Sequence, residues 1–215
     1  MPTATLEEYL EAIYKIAESG TVRPTQIAES VGVSGPTVTA TLHRLEAQGF
    51  VTRDGTAVVL TREGTSRALD IIRRHRVSET FLVDVLGLDW EAAHEEACTL
   101  EHALSPRVLE ALECFLHNPE VCPHGHPIPS ADGSVDVVQG ESLCDVPVGG
   151  SARVLRVAEK DDELLGYIGS LGLRPGAKVS IVEKAPFSGP LTLIIDGTQR
   201  AVASDVASLV TVSTT

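Results

Sequence analysis

His94, Cys98, Glu101 and His102 follow one another as His-x3-Cys-x2-Glu-His. At about 100° per residue the four share roughly a 100° arc of one helix face. An imidazole pair, a thiol and a carboxylate are neither a core stripe nor a scattered solvated surface. They are the donor types that bind divalent metals. Cys98 taken alone reads as a small buried hydrophobe. His75 and Glu79, four residues apart, form a second pair on the preceding helix, which by itself reads as a solvated contact. Beside the first cluster it opens a site of His75, Glu79 and His94 next to one of Cys98, Glu101 and His102.

His94-Glu95-Glu96-Ala97-Cys98 also approaches the His-Glu-x-x-His signature of zinc hydrolases. Its second histidine is replaced by a cysteine, whose thiolate would quench the Lewis acidity that hydrolysis uses. A zinc-dependent hydrolase therefore stands as the weaker alternative. Cys122-Pro123-His124-Gly125-His126 is a further Cys/His group. It falls in a stretch rich in proline and glycine, where a turn with incidental ligands is expected.

These side chains need elements to hold them. Leu6, Tyr9, Leu10, Ile13 and Tyr14 recur at helical spacing, with Thr5-x-x-Glu8 as a capping box. A second helix starts at Thr25 and breaks at Gly32. A third is capped by Ser34, tolerates Pro36 in its first turn and carries Val38, Leu42 and Leu45 on one face. Two helices around a glycine turn predict a helix-turn-helix, and the β-prone runs around Asp54-Gly55 predict its wing. Helices are expected over 61–86, 90–104 and from Ser105-Pro106 through Leu116. Residues 117–150 read as a connector. Beyond it, short β-prone runs at 152–157, 178–183, 191–196 and 201–203, with a helix near 164–171, predict a small closed barrel.

The chain has 215 residues and a formal net charge of −13, which at face value speaks against nucleic acid. The charge is not evenly spread. Residues 79–145 carry fourteen acids and one arginine, which accounts for the whole excess, whereas residues 21–78 carry eight arginines against five acids. A basic reader joined to an acidic sensor fits better than a uniformly acidic chain. The small hydroxyl-rich start of the third helix, Ser34, Pro36, Thr37 and Thr39, allows close approach to a major groove, with Thr25 on the helix before it. Arg23, Arg44, Arg53 and Arg62 are the expected phosphate partners. A helix-turn-helix used only for protein packing, and a metal-independent winged-helix regulator, remain alternatives. The N-terminus has no basic region before an apolar run and no stretch reaches membrane-span length, so a cytoplasmic protein without a membrane partner is expected. The four cysteines include no Cys-x-x-Cys pair and read as reduced thiols.

Glu7-Glu8-Tyr9-Leu10-Glu11-Ala12-Ile13-Tyr14, Ser34-Gly35-Pro36-Thr37-Val38, Arg74-His75-Arg76-Val77-Ser78-Glu79 and the His94 to His102 run together resemble the diphtheria toxin repressor family of metal-dependent bacterial regulators, over nearly the whole chain. The resemblance implies a mainly α protein with a small β domain: a winged helix-turn-helix at 1–64, a helical metal-binding and dimerisation domain at 65–140, a linker at 141–150 and an SH3-like β-barrel at 151–215. It implies a primary metal site of Glu8, Cys98, Glu101 and His102 and an ancillary site of His75, Glu79 and His94. Glu159-x-x-Asp162 is the nearest match to a contribution from the third domain.

Glu8 is also the end of the possible capping box. As a ligand it hardens the site toward Mn²⁺, and Glu11 lies one turn on, while Cys98 suits Fe²⁺ and softer ions. Mn²⁺ is favoured over Fe²⁺, with Co²⁺, Zn²⁺ and Cd²⁺ expected to bind in vitro. The implied partners are double-stranded operator DNA and a second copy of the chain, with no small organic substrate and no enzymatic activity. Ala40 stands where some members carry a base-reading glutamine, so no operator sequence is implied.

Overall fold

The computed structural model describes residues 3–159 and 162–214. They divide into two compact units. The first holds the chain up to His75 together with Glu101–Leu104 and Pro129–Ser134. The second holds Arg76–Leu100, Ser105–Ile128 and the described residues from Val135 onward.

The first unit begins with α1 (Ala4–Ala17). Leu6, Tyr9, Leu10 and Ile13 are buried at i, i+3, i+4 and i+7, the apolar stripe that makes a helix worth forming in water. The helix starts earlier than its capping box implied. Thr3 is the N-cap residue and Thr5 already lies inside the helix, which leaves Glu8 on an exposed face rather than closing a cap.

Helices α2 (Pro24–Val31) and α3 (Gly35–Ala47) are joined through Gly32, whose φ of 69° supplies the left-handed turn. Val38, Leu42 and Leu45 of α3 pack with Leu6, Leu10, Ile13 and Ile27 in one core. Ser34 takes the N-cap position, but its hydroxyl bonds Thr37 Oγ1 at 2.9 Å instead of a backbone N–H. The wing is the hairpin β1 (Val51–Asp54) and β2 (Ala57–Leu60), paired from Val51 with Leu60 to Asp54 with Ala57.

Helix α4 (Arg62–Asp84) follows at once. Gly64 lets its first turn lie against the wing, because a Cβ there would meet Phe50 O at 1.9 Å. Thr61 Oγ1 donates to Gly49 O at 2.7 Å and accepts from Gly64 N at 3.1 Å, tying the helix start to the hairpin. Ala68, Leu69, Ile71 and Ile72 are buried along this half of α4.

In the second unit, α5 spans Trp90–Leu100 and α6 spans Pro106–Phe115. The expectation that the α5 segment stays helical to residue 104 is corrected: Glu101, His102 and Ala103 form a turn. Pro106 holds Ser105 extended at φ −73°, ψ 153° as the α6 cap, so helical dihedrals must end before it. The chain then builds one six-stranded sheet from β3 (Glu141–Ser142), β4 (Ser151–Val157), β5 (Lys178–Lys184), β6 (Leu191–Ile195), β7 (Thr198–Val202) and β8 (Val210–Thr214), in the order β3-β8-β4-β5-β6-β7.

The closed barrel expected from strand spacing is corrected as well. Among the described residues β3 and β7 are not paired, and the SH3-like sheet stays open. Helix α7 (Asp162–Ser170) sets Leu165 and Ile168 into the same core as Trp90 and the inner strand residues Val154, Val179 and Leu193. Arg174 lies over the Trp90 ring at 5.0 Å. A last short helix, α8 (Ser204–Ala207), precedes β8. No helix among the described residues is long and apolar enough to cross a membrane.

Candidate metal centre

Two groups of ligand-type side chains each lie wholly within one unit. In the first unit Glu11, His75 and Glu101 bring one ligand atom each within 4.8 Å of one another. Glu11 comes from α1, His75 from α4 and Glu101 from the turn after α5. His75 Nδ1 is 2.7 Å from Glu101 Oε2, with both side chains buried. The other oxygen of Glu101 lies 3.3 Å from His102 Nε2.

Burial, aided by the charge of Glu11, holds the Glu101 carboxyl above the usual carboxylate range against the hydrogen bond from His75. The residue of α1 that reaches His102 is Glu7, whose Oε2 is 2.8 Å from His102 Nδ1. Glu8, expected as a ligand from the family pattern, is exposed. Cys98 lies on α5, is exposed and is not in a disulfide.

In the second unit Glu79, Cys122, His124 and Glu159 bring one ligand atom each within 4.8 Å. His124 Nδ1 lies 3.2 Å from Glu79 Oε2 and 3.4 Å from Glu159 Oε1. The Cys122 thiol is 3.7 Å from the same Glu159 oxygen. His94 Nδ1 contacts the remaining oxygen of Glu79 at 2.8 Å. Of the residues expected as the ancillary site, Glu79, His94 and Glu159 therefore meet here, while His75 lies with Glu101 in the first unit. The side chain of Asp162 lies outside the described residues.

The Cys122–His126 segment is not an incidental turn. Val121 and Pro127 form a β-bridge, and Cys122 N donates to His126 O at 2.9 Å. Arg76 Nη1 donates to Pro127 O at 2.6 Å. The turn lies flat on β4: Gly125 has φ +84° and a Cβ there would meet Leu155 O at 2.0 Å, so only glycine permits this approach. Val157 N donates to His124 O at 2.9 Å, and His126 Nε2 donates to Val157 O at 2.7 Å. These bonds turn Cys122 and His124 inward, where they are 3% and 0% exposed. The Trp90 ring packs edge-on against His124 at 4.5 Å.

The donor chemistry of both groups fits a divalent cation. Both ring nitrogens of His124 are buried without a hydrogen-bond partner among the described residues, although two carboxylates stand within ion-pair distance. Buried polar nitrogens are seldom left so, and a cation held by one nitrogen, one thiolate and two carboxylates accounts for the convergence. Burial pulls the His124 pKa down, but the contacts and charge of Glu159 and Glu79 outweigh it and push the group up to about 9. Burial, then the charges of Glu79 and Glu159, pushes the Cys122 thiol well above its ordinary value. The sequence shows Cys122 and His124 as a Cys/His group in a turn but not the carboxylates that converge on it. The partners, Glu79 and Glu159, are 43 residues before Cys122 and 35 after His124.

On the DNA-reader face Arg23, Thr25, Ser34, Pro36, Thr37, Thr39, Arg44, Arg53 and Arg62 are all exposed. Thr39 Oγ1 donates to Gly35 O at 3.1 Å. The Arg53 guanidinium of the wing is engaged by Glu46 of α3, Nε to Oε1 at 2.5 Å, and Glu46 also lies 3.3 Å from His43.

Comparison with known proteins agrees along the whole chain. The family model "Iron dependent repressor, N-terminal DNA binding domain" matches residues 1–56. "Iron dependent repressor, metal binding and dimerisation domain" matches 61–130, and "FeoA domain" matches 141–214. The iron-dependent repressor IdeR of Mycobacterium tuberculosis is 35% identical over 207 residues, covering 90% of this chain and 89% of the relative. The diphtheria toxin repressor of Corynebacterium efficiens is 34% identical, covering 97% and 94%. A manganese-dependent transcriptional repressor solved in complex with manganese superposes with a TM-score of 0.89 at 34% identity, over 98% of this chain and 100% of that one. ScaR with bound Cd²⁺ gives 0.82 at 31%, over 97% and 98%.

Proposed function

The chain belongs to the iron-dependent repressor family, and on that premise we propose that it is a transcriptional repressor activated by Mn²⁺ or Fe²⁺. It binds double-stranded operator DNA as a homodimer and controls metal-homeostasis genes in the cytoplasm. It is not an enzyme, and it needs neither a membrane nor a small organic substrate. The observation that carries the reading is Glu101, whose two oxygens face His75 and His102 while Glu11 of the DNA reader's first helix completes the group.

The first group offers nitrogen and oxygen donors, the set that suits Mn²⁺ and Fe²⁺; Cys122 gives the second group a softer donor that also accepts Co²⁺, Zn²⁺ and Cd²⁺. We assign Glu11, His75, Glu101 and His102 to one centre and Glu79, His94, Cys122, His124 and Glu159 to the other. Glu8, Cys98 and Asp162 remain candidate ligands by the family pattern. A bound divalent cation supplies the positive charge that lets acids and imidazoles from distant segments share one point. Glu11 then fixes α1, and with it the helix-turn-helix that shares its core, to α4 and to the turn carrying Glu101. Differential affinity for this ordered arrangement is the switch.

Dimerisation is supported by Phe115, 60% exposed on α6, with Val108 on α6 and Val85 and Leu86 beyond α4 also exposed. Phe115 stacks edge-on with Phe81 at 6.3 Å, so the aromatic surface is held in place for a second copy. Two recognition helices held about 34 Å apart match successive major grooves of a pseudo-palindromic site. DNA binding measured anaerobically against Mn²⁺, Fe²⁺, Co²⁺ and Zn²⁺ and in chelator tests the reading. Metal-dependent affinity supports it, and full affinity in chelator overturns it.

A further inference from the structure

Glu7 and Glu11 lie one helical turn apart and so share a face of α1, whereas Glu8 points about 100° away and is exposed. Glu7 and His102 contact each other with side chains only 15% and 16% exposed. An ionised carboxylate can only accept, so the proton in the 2.8 Å contact belongs to His102 Nδ1. In the neutral form of the ring the lone pair then falls on Nε2, which lies 3.3 Å from Glu101 Oε1. In that form Nε2 and the Glu101 oxygen lie close enough for one cation to take both as ligands. A carboxylate behind a ligating imidazole fixes its tautomer and orientation and raises its basicity.

We propose that Glu7 is a positioning residue for His102: it holds the ring with Nε2 presented beside Glu101, and it does so from the helix that opens the DNA reader. This role rests on the metal reading above. It gives α1 a second tie to the centre, besides Glu11, so that displacement of α1 releases His102 and weakens metal affinity. Reciprocity of linkage then requires metal binding to favour the docked helix by the same factor.

The test uses the full chain without DNA, in three forms: native, Glu7→Gln and Glu7→Ala, with His102→Ala as the reference. Stepwise Mn²⁺ binding is counted by electron paramagnetic resonance. The step abolished by His102→Ala identifies the centre. The expected result is that Glu7→Ala weakens this step about 10- to 100-fold and that Glu7→Gln, which keeps an acceptor but no charge, falls between. The number of ions bound stays the same in both Glu7 variants. Nitrogen-15 spectra of the metal-free chain should show His102 protonated at Nδ1 and lose that preference in Glu7→Ala.

An unmoved binding step or an unmoved tautomer overturns the positioning role and leaves the metal reading standing. Loss of a whole ion in Glu7→Gln makes Glu7 a ligand and also overturns the role. If His102→Ala abolishes no step, the metal reading fails and the positioning role fails with it.

Discussion

Glu79 and His124 meet at 3.2 Å with both side chains fully enclosed, and Glu79 turns its other oxygen to His94 at 2.8 Å. A carboxylate buried to this degree is costly unless it is paired with positive charge. In the metal-free chain the protonated His124 provides that charge, since its pKa is pushed up to about 9. A metal ion would provide it when bound.

Metal binding at this centre should therefore release protons. At pH 7 the His124 ring and the Cys122 thiol are both protonated in the metal-free chain, and both must lose a proton to ligate, so about two protons leave per ion. Calorimetry of metal binding in buffers of different ionisation enthalpy reads this number directly. Affinity should rise with pH between 7 and 9. The stability that His124 lends the metal-free fold has the opposite trend: its raised pKa is fully stabilising below 6.5 and that contribution is lost as pH rises through about 9.

Glu101 should separate stability from function. Its carboxyl is held above the usual range chiefly by burial, so ionising it costs the metal-free fold stability as pH rises. Glu101→Gln removes that cost, and the variant's metal-free melting temperature should equal or exceed the native value. Its metal-dependent DNA affinity should fall at least about tenfold, a typical loss for a damaged metal site. Thermal melts in chelator and DNA titrations in Mn²⁺ check the two halves.

Gly125→Ala should act on one centre and spare the other. The new methyl would face Leu155 O at 2.0 Å in a backbone held at φ +84°, which costs about 1–3 kcal/mol if the turn is kept. The turn carries Cys122 and His124, so the metal step of the second unit should weaken while that of Glu11, His75 and Glu101 remains. Cd²⁺ titration followed by thiolate absorbance, compared with the same titration of Cys122→Ser, reads the Cys122 site by difference.

Glu46 should restrain DNA affinity. Its carboxylate engages Arg53 of the wing and is an anion on the helix meant to approach phosphates. Glu46→Ala frees Arg53 and should tighten DNA binding about two- to fivefold, with the salt dependence steeper by about one ion. An unchanged salt slope would mean that Arg53 contacts no phosphate.

The first unit was largely legible in the sequence because its elements are amphipathic and locally punctuated. Leu6, Tyr9, Leu10 and Ile13 announce α1, Gly32 marks the turn of the helix-turn-helix, and Asp54-Gly55 marks the wing. The histidines and acids of the helical region were legible through their spacing. What spacing could not show was pairing across long loops. Glu79, Cys122, His124 and Glu159 span 81 residues, and their convergence depends on a turn pressed onto β4 at Gly125. The choice of Glu7 over Glu8 against His102 was hidden for the same reason. It depends on where the turn carrying His102 meets α1, and Glu7 and His102 are 95 positions apart in the chain.

The central claim is that metal held by Glu101 and His102 licenses DNA binding. The most direct test is the affinity of the native chain, Glu101→Ala and His102→Ala for one operator duplex across an anaerobic Mn²⁺ titration, with an Fe²⁺ titration in parallel. The account predicts that native affinity climbs with metal while both variants stay at the level seen in chelator. Variants that bind the duplex as tightly as the native chain at every metal concentration would contradict it.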